Sequence, residues 1–512
     1  MRQKKLIILF FYMALLAACA GIVWLLGRLN SPVEPGKPSV QESEYPEQTE
    51  TSVEETLTGE TEGEQPTETG SEEGLEVSGR PAGTNKPGEQ MEILDETPPP
   101  YEPPRLMLVS DLHYMSASTH DDGKAFWNMV KSDDGKAHQY SEQLLDALAA
   151  RALEEKPSAL VLSGDITLNG EKENHLELAK KLKEIQDGGV PVVVIPGNHD
   201  INNRNAASFD GRSRQMAEAV SANEFAEIYN DFGYDEALSR DPASLSYTYD
   251  LGPDMRLLML DSCQYSPTNK VGGMIKTETY DWIDDQLDEA WDDGVILLPV
   301  AHHNLLDESK IYVEDCTIEH SEELVNRLEE ENVPLFLSGH LHVQHYMRNE
   351  EDRGIYEIVT SSLSTPPCQY GVLEYRDDES FSYHTQQVDM EKWARKHKST
   401  DENLLNFNTY APAALRTIFY NQSYDAMKDS EEEETGDLFV KLTQRQKEQM
   451  SEVYAQLNAA CYGGKAYEVV KEATTTPAYK MWQEYCYPMV LFEYLEYIVD
   501  DAVKDYNYLE VN

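Results

Sequence analysis

The sequence predicts an α/β domain followed by a smaller, all-helical domain. Between residues 105 and 388, apolar runs of three to five residues alternate with stretches of helical periodicity. From about residue 389 onward such runs give way to long, tyrosine-rich helical patterns, which extend to residue 512. Alternation of strands and helices is typical of a sheet covered by helices. We therefore expect an α/β domain at 105–388 and a helical C-terminal domain at 389–512.

Residues 1–30 have the pattern of a membrane anchor or a lipoprotein signal. Basic side chains precede an unbroken apolar run at 6–26, which as a helix spans the roughly 30 Å core of a bilayer. Basic residues before such a run favour export of the chain on its C-terminal side. Residues 16–19 resemble a bacterial lipobox, so a lipidated Cys19 is the alternative to an uncleaved helix. Both predict a protein tethered to the membrane on its extracytoplasmic face.

Residues 31–104 are predicted to be a disordered acidic linker. They contain nineteen acidic residues against three basic ones and almost no large apolar side chains. Such a segment cannot bury enough apolar surface to offset the entropy cost of folding. Its proline content and charge repulsion favour an extended tether.

The formal net charge of −52 limits the partners of the chain. An extended nucleic-acid groove needs a basic stripe, which this composition does not provide. A small anionic substrate remains compatible if bound metal ions dominate the field at its site. The oligomeric state is left open.

The cysteines do not form a recognisable disulfide framework. Five remain besides Cys19, widely spaced and odd in number. Unpaired thiols are the expectation, and a Cys461–Cys486 pair is the alternative.

Strands and helices can be placed in order along the α/β domain. Strands are predicted at 106–109, 160–162, 192–195, 257–260, 296–300, 335–337, 356–360, 371–375 and 381–385. Helices are predicted at 140–154, 173–186, 217–231, 277–291 and 321–330, and in the C-terminal domain at 404–427, 445–460 and 479–503.

Polar clusters follow five of these predicted strands. The clusters are Asp111-Leu112-His113, Gly164-Asp165, Gly197-Asn198-His199-Asp200, His302-His303 and Gly339-His340-Leu341-His342. A single Asp or His after a strand is usually a turn residue or a packed side chain. Five clusters at equivalent strand ends instead converge on one rim, where α/β sheets bind ligands. The glycines suit turns where the backbone passes close to another group.

The order and spacing of these clusters resemble the calcineurin-like metallophosphoesterases over about residues 105–388. The segments 163–167, 169–171 and 198–201 resemble the secreted class III cyclic nucleotide phosphodiesterases of Gram-positive bacteria, which carry a helical C-terminal domain. The resemblance implies a four-layer αββα sandwich. It also implies hydrolysis of phosphate esters by a hydroxide that bridges two metals.

Carried over by position, the resemblance implies seven ligands for two metal ions. Asp165 is expected to bridge the metals, with Asp111, His113 and His342 on one metal and Asn198, His302 and His340 on the other. His340 and His342 are two residues apart, so a turn after Gly339 is needed for both to face the centre. Imidazoles and carboxylates without thiolates favour divalent or trivalent Mn, Fe, Zn or Co.

Residues in and near the third and fourth clusters receive roles in substrate turnover or in support of the ligands. The resemblance implies that His199 is the general acid that protonates the leaving oxygen, and that Asn198 also stabilises charge on the phosphate. Asp200 is expected to orient His199, with a simple turn acid as the alternative. Arg204 is a candidate for binding phosphate or nucleotide. His303 is either a supporting residue beside His302 or a side chain that points away.

The predicted function is a phosphodiesterase acting on cyclic nucleotides or similar small phosphodiesters outside the cytoplasm. A phosphomonoesterase or nucleotidase is the alternative enzyme, since one metal centre serves both reactions. A binding protein of the cell wall, without catalysis, is the alternative of another class; the complete ligand set argues against it.

Overall fold

The structure, a computed structural model, describes residues 102–310, 313–349, 354–376, 379–433, 442–486 and 488–511. These residues belong to one compact unit. The predicted anchor and nearly all of the predicted linker lie outside the described residues. Within the described part of the chain, no helix is both long enough and apolar enough to cross a bilayer.

The first sheet has six strands in the order β15-β14-β13-β1-β2-β3. Its parallel half consists of β1 (Arg105–Val109), β2 (Ala159–Ser163) and β3 (Val192–Ile195). Its antiparallel half consists of β13 (Gln369–Tyr375), β14 (Phe381–Gln387) and β15 (Tyr508–Val511). Because β1–β3 are parallel, their carboxyl ends meet at one edge of the sheet.

The second sheet has seven strands in the order β11-β12-β10-β9-β8-β7-β6. The parallel strands are β8 (Met255–Leu260), β9 (Ile296–Ala301), β10 (Leu335–Ser338) and β12 (Tyr356–Val359). The antiparallel strands are β6 (Ser239–Arg240), β7 (Tyr247–Asp250) and β11 (His345–Arg348). A separate hairpin joins β4 (Ala207–Asp210) to β5 (Ser213–Met216).

Fourteen α-helices are found among the described residues. In the α/β part they are α1 (Lys124–Ser132), α2 (Ser141–Glu155), α3 (Lys172–Asp187), α4 (Ala222–Ile228), α5 (Thr277–Asp293), α6 (Val313–Cys316) and α7 (Ser321–Glu330). In the C-terminal part they are α8 (Met390–Lys396), α9 (Glu402–Leu405), α10 (Phe407–Glu433), α11 (Gln444–Tyr462), α12 (Ala466–Ala473), α13 (Pro477–Tyr485) and α14 (Met489–Asp501).

The two sheets pack face to face between layers of helices. Along β8, Leu257 and Met259 contribute to the core between the sheets, whereas Leu258 and Leu260 pack with α5 and α7. This alternation follows from the two-residue period of a strand that is buried on both faces. A tyrosine also links the sheets, since the Tyr247 hydroxyl donates to the Val194 carbonyl at 2.8 Å. The four-layer sandwich expected from the resemblance is confirmed.

The C-terminal helices form their own hydrophobic core around Trp482. Its indole is fully buried, and Nε1 donates to the Met450 carbonyl of α11 at 3.0 Å. The predicted single helix at 479–503 is two helices, α13 and α14. Pro488, at the N-cap of α14, has no N–H to continue a preceding helix, and it disfavours helical geometry in the residue before it.

Two further elements differ from the predictions. The C-terminal region is helical as predicted, but its last residues form β15, which pairs with the edge of the first sheet. The helix predicted at 217–231 is shorter, because the capping box of Ser221 and Glu224 starts α4 at residue 222. All five cysteines in the described residues are free, which confirms the expectation of unpaired thiols.

Candidate metal centre

The sandwich brings the five predicted polar clusters to one rim. Asp111 and His113 follow β1, Asp165 follows β2, Asn198 follows β3, His302 follows β9, and His340 and His342 follow β10. Three clusters therefore come from the first sheet and two from the second. Convergence arises because the parallel strands of both sheets end at this rim.

The backbone at these strand ends adopts a conformation that L-residues rarely occupy. Asp111, His113, Asp165, His340 and His342 all have positive φ, between 44° and 70°. Each such residue costs of order 1–3 kcal/mol and persists only where the surrounding structure holds it. Two left-handed residues in the 340–342 turn allow both histidines to face the centre, as the spacing argument required.

Two glycines allow the close approach of these turns. A Cβ at Gly339 would lie 1.7 Å from the Ser110 Oγ and 2.8 Å from the Asp111 Oδ2. Gly164 has a φ of 92°, and a Cβ there would lie 2.5 Å from the Nδ1 of His302. Any side chain at either position would push apart groups that form the site.

The first group of potential ligands is Asp111, His113, Asp165 and His342. One ligand atom from each lies within 4.8 Å of the others. The Nε2 atoms of His113 and His342 are 3.1 Å apart, and the His342 Nε2 lies 3.1 Å from the Asp111 Oδ1. Three of the four side chains are buried. Such convergence of imidazoles and carboxylates is the donor set of a transition-metal site.

The second group is Asp165, His302 and His340. The Nε2 of His302 lies 3.4 Å from the Asp165 Oδ2 and 3.2 Å from the His340 Nδ1. The Asn198 Oδ1 is 3.1 Å from the same His302 nitrogen, which adds the predicted amide ligand to this group. Asp165 belongs to both groups, as a bridging carboxylate must.

The hydrogen bonds around the site leave the correct atoms free for metal ions. The Asp111 Oδ2 accepts from the Ser110 hydroxyl and the His340 backbone N–H, whereas its buried Oδ1 has no hydrogen-bond partner among the described residues. The Nδ1 of His302 donates to the Ser163 carbonyl, and the Nε2 of His340 donates to the Asp315 carbonyl. Each imidazole thus keeps its other nitrogen for a metal. The residues fit two metal ions; the donor set does not decide which metals they are.

The electrostatics of the site favour ionised carboxylates. Burial raises the pKa of Asp165, but the neighbouring His302 and His199 lower it by more than burial raises it. The pKa of Asp165 is therefore well below the ordinary value. The pKa of Asp111 is also lowered, because His342 and His302 outweigh burial. Both carboxylates are therefore charged at neutral pH, as metal binding requires.

His199 lies beside the two ligand groups and is partly exposed. Its side chain is 34 % exposed, and its Nε2 is 3.9 Å from the Asp165 Oδ2. Its Nδ1 donates to the Leu168 carbonyl at 2.8 Å, and its ring packs edge-on against His113. The Nε2 atom is thus the nitrogen available to exchange a proton with a ligand at the rim.

Of the two roles predicted for Asp200, the turn acid fits the structure, because no hydrogen bond joins its carboxylate to the His199 side chain. The buried carboxylate accepts hydrogen bonds from the backbone of Ile166, Thr167 and Gly197 and from the Thr167 hydroxyl. Burial and then the nearby Asp165 raise its pKa to about 6. Asp200 holds the two strand-end turns together, and the Leu168 carbonyl orients His199 instead.

The remaining candidates separate into one supporting residue and one exposed residue. His303 packs against the ring of His340, and its two nitrogens are hydrogen-bonded to Ser262 Oγ and the Val271 carbonyl. It therefore supports a ligand and is not one itself. Arg204 is exposed, and no hydrogen bond or ion pair joins it to a site residue in the described part of the chain. Its substrate contact stays a prediction.

Sequence reasoning missed Asn269, which braces the turn that carries Asn198 and His199. Its Nδ2 donates to the carbonyls of Asn198 at 2.7 Å and Ile201 at 2.8 Å. Nothing in its surroundings, Pro267-Thr268-Asn269, distinguishes it from an ordinary loop asparagine. Only the folded chain brings it beside a turn about seventy residues earlier.

Comparisons with known proteins agree with this geometry. Residues 104–344 match the family model described as calcineurin-like phosphoesterase. This part of the chain is a calcineurin-like phosphoesterase domain. Residues 389–505 of the phosphoesterase match the model described as the C-terminal domain of cyclic nucleotide phosphodiesterase. The protein is a metal-dependent phosphoesterase with an Asp and His site for two metal ions.

Individual relatives are more distant. A Psychrobacter arcticus protein named probable cyclic nucleotide phosphodiesterase is 25% identical over 281 residues, which cover 54% of this phosphoesterase and 84% of the relative. A dimetal phosphatase from Danio rerio is 15% identical with a TM-score of 0.41, over 56% of this chain and 97% of that one. A purple acid phosphatase from yellow lupin is 14% identical with a TM-score of 0.38, over 56% and 51% of the two chains.

Proposed function

We propose that the phosphoesterase is a phosphodiesterase of cyclic nucleotides or similar small phosphodiesters, tethered outside the cytoplasmic membrane. The observation that carries the substrate class is the match of residues 389–505 to a domain described for cyclic nucleotide phosphodiesterases. The helices of this domain border the metal centre, since Phe419, Tyr454 and Tyr462 line one cavity with His340 and His342. A diester substrate would therefore meet the helical domain as well as the metals.

The ligand side chains would hold the two metal ions on which the proposed reaction depends. The Asp165 carboxylate is common to the two ligand groups. The other members of the first group are Asp111, His113 and His342, and those of the second are His302, His340 and Asn198. Bound metal ions would lower the pKa of a bound water and would place positive charge next to the phosphate. Asn198, buried beside His302, places its amide where charge develops on the phosphate oxygens.

His199 is proposed to move the proton. Its Nδ1–H is held by the Leu168 carbonyl, which leaves Nε2 to give a proton to the oxygen that departs from phosphorus. Its partial exposure lets it reach a substrate that enters from solvent. Because Asp200 hydrogen-bonds to backbone groups, the Leu168 carbonyl orients the His199 ring in its place.

A substrate panel tests the proposed activity. Purified protein loaded with Mn²⁺ should hydrolyse bis(4-nitrophenyl) phosphate and at least one cyclic nucleotide. Its kcat/KM for diesters should exceed that for 4-nitrophenyl phosphate and 5′-nucleotides. The reverse order would establish the phosphomonoesterase alternative. Two bound metals without any hydrolysis would support the non-catalytic alternative.

The proposed tether is tested separately. It rests on the apolar run at 6–26, Cys19 and the acidic segment 31–104. External protease should release an active soluble fragment from intact cells. Cys19→Ser should change the membrane association if the anchor is a lipid and leave it intact if the anchor is a helix. Activity that stays protected from protease until lysis would contradict export.

A further inference from the structure

Two histidines of the second ligand group stand on turns that leave neighbouring strands. His302 follows β9 and His340 follows β10, and the two strands pair in parallel in the second sheet. The backbone N–H of Gly339 donates to the His302 carbonyl at 3.0 Å, which joins the two turns directly. The Nε2 of His302 lies 3.2 Å from the His340 Nδ1. The separation of these nitrogens, on which coordination of one ion depends, is therefore set by how the two turns are held together.

A buried amide adds a second link between the turns. Asn304 lies two residues after His302, and its side chain is fully buried. Its Nδ2 donates to the Gly339 carbonyl at 3.1 Å and to the Ser338 hydroxyl oxygen at 3.0 Å. Both acceptors directly precede His340 along the chain. The turn that carries His302 is thus tied at two atoms to the residues that lead into His340.

Glu357, on the neighbouring strand β12, holds both turns with one carboxyl group. The side chain is fully buried. Its Oε1 accepts from the Leu305 backbone N–H at 2.9 Å and from the Ser338 hydroxyl at 2.6 Å, and its Oε2 accepts from the Leu306 backbone N–H at 2.6 Å. The two leucines continue the segment that begins with His302, and Ser338 ends β10. Neither turn can shift relative to β12 without breaking one of these bonds.

Ser338 connects the amide to the acid. Its hydroxyl proton is directed to Glu357, and its oxygen accepts from the amide of Asn304. The three side chains therefore form one chain of hydrogen bonds, in which loss of any member leaves a buried polar group without its partner. An apolar side chain could fill the position of Glu357 without the cost of desolvating an acid, but it could not join the two turns.

This network should affect the two ligand groups unequally. Glu357 itself belongs to neither group. The second group takes both of its histidines from the turns that the network holds. In the first group, Asp111, His113 and Asp165 follow strands of the first sheet, and only His342 comes from the second sheet. A change in the network should therefore disturb the second group more than the first.

We infer that Glu357, acting through Ser338 and Asn304, is a positioning residue for the metal ion of the second ligand group. Its carboxyl group would keep both histidines at the separation that one ion requires, without contacting the ion or the substrate. Metal binding is measured without substrate, so this role does not depend on the proposed diester specificity.

Titration with the metal alone tests this role. Full-length protein, stripped by a chelator and titrated calorimetrically with Mn²⁺, should bind two ions. Glu357→Met removes both acceptor oxygens and should weaken binding of one ion by about 10- to 100-fold, the range typical for loss of a residue that supports a metal ligand. Glu357→Gln keeps one acceptor oxygen and should restore part of the affinity. Ser338→Ala should act in the same direction, and it decides if Glu357→Met does not fold.

Two ligand variants identify the affected ion. In His113→Ala only the second group stays complete, and addition of Glu357→Met should strongly weaken the remaining Mn²⁺ binding. In His302→Ala only the first group stays complete, and the same addition should have a smaller effect. Weakening that is equal in the two backgrounds, or larger in His302→Ala, would overturn the role.

Asp241→Asn is the matched control for a general loss of stability. Asp241 follows β6 of the second sheet and is also buried, and it accepts from the Ala243 backbone N–H and from the hydroxyls of Ser244 and Thr279. This variant should lower Tm and leave the affinity for both ions unchanged. Mn²⁺ affinities that stay unchanged in Glu357→Met and Ser338→Ala, or that fall equally in Asp241→Asn, would show that the network only stabilises the fold.

Discussion

The metal centre and the His345 cluster, which consists of His345, Glu308 and Asp501, use the same residue types in different ways. In the His345 cluster both imidazole nitrogens meet carboxylates, Nδ1 facing Glu308 and Nε2 lying 3.1 Å from Asp501. In the metal centre, His302 and His340 each give one nitrogen to a backbone carbonyl and turn the other toward neighbouring ligands. The first arrangement stabilises a proton on histidine, and the second leaves room for a metal.

Proximity of histidine and carboxylate side chains therefore does not by itself define a metal site. The His345 cluster instead joins two parts of the fold, since His345 lies on β11 and Asp501 ends α14. The Tyr497 hydroxyl adds a hydrogen bond from α14 to the Glu308 carbonyl at 2.8 Å. Free ligand atoms and a left-handed backbone distinguish the metal centre.

The largest expected effect follows from removal of the shared ligand. Asp165→Ala should abolish binding of both metals, because Asp165 is the carboxylate common to the two ligand groups. Metal analysis should then find fewer than one ion per chain, and activity should fall to background. Asp261→Ala is the control, since this buried carboxylate also follows a strand but, within the described part of the chain, accepts hydrogen bonds only from Leu245, Cys263 and Tyr265. Equal metal loss in both variants would contradict the assignment.

Substitution of the proton donor should be the next largest effect. His199→Ala should keep both metals and lower kcat by about 10²- to 10⁴-fold, most for substrates with a poor leaving group. The measurement is kcat for diesters whose leaving groups differ in pKa. His397→Ala, at an exposed histidine that follows α8, should have no effect. A uniform loss across leaving groups would show that His199 does not act as the acid.

Loss of the brace on the 198–201 turn should have a smaller effect. Asn269→Ala removes two hydrogen bonds to the carbonyls of Asn198 and Ile201 and should lower kcat/KM by about 10- to 100-fold. The reason is a less well-positioned Asn198 and His199. Asn349→Ala is the control, since Asn349 is exposed and remote in sequence from the 198–201 turn. Unchanged activity in Asn269→Ala would mean that the turn holds its shape without the brace.

The smallest effect is a pH dependence of stability from the His345 cluster. Burial opposes the charge on His345, but Glu308 and Asp501 outweigh it and raise its pKa to about 9 from 6.5. Because the folded state holds the proton more tightly, this contribution is complete below pH 6.5 and is lost as the pH rises through 9. Tm should therefore fall between pH 6.5 and 9, by about 2–4 °C per kcal/mol.

His345→Gln should make that decline shallower while leaving both metals bound. Some decline should persist, because burial and the nearby Glu308 raise the pKa of Glu357 to about 8, which also favours the protonated folded state at lower pH. A pH profile identical to that of the wild type would remove His345 from this role. Loss of metal from His345→Gln would contradict the distinction between the two regions.

Much of the metal centre could be predicted because its residues stand in short motifs directly after apolar strands. Asp111 and His113 are separated by one residue, as are His340 and His342, so the local sequence already joins pairs of ligands. The sequence could not decide between the two roles predicted for Asp200, since adjacency to His199 did not reveal that its carboxylate faces the 165–167 turn. Asn269 had no local signal at all.

Composition and the spacing between near neighbours predicted the α/β class and the acidic, helical and apolar segments, whereas the ligand residues, with Asp165 as the shared one, were implied by the resemblance to the calcineurin-like phosphoesterases. The folded structure alone established which nitrogen of His302 and of His340 is free. It also decided that the helical domain borders the metal centre and that the last strand joins the first sheet. These features depend on contacts between residues tens to hundreds of positions apart, whose geometry arises only when the two sheets and the helices pack together.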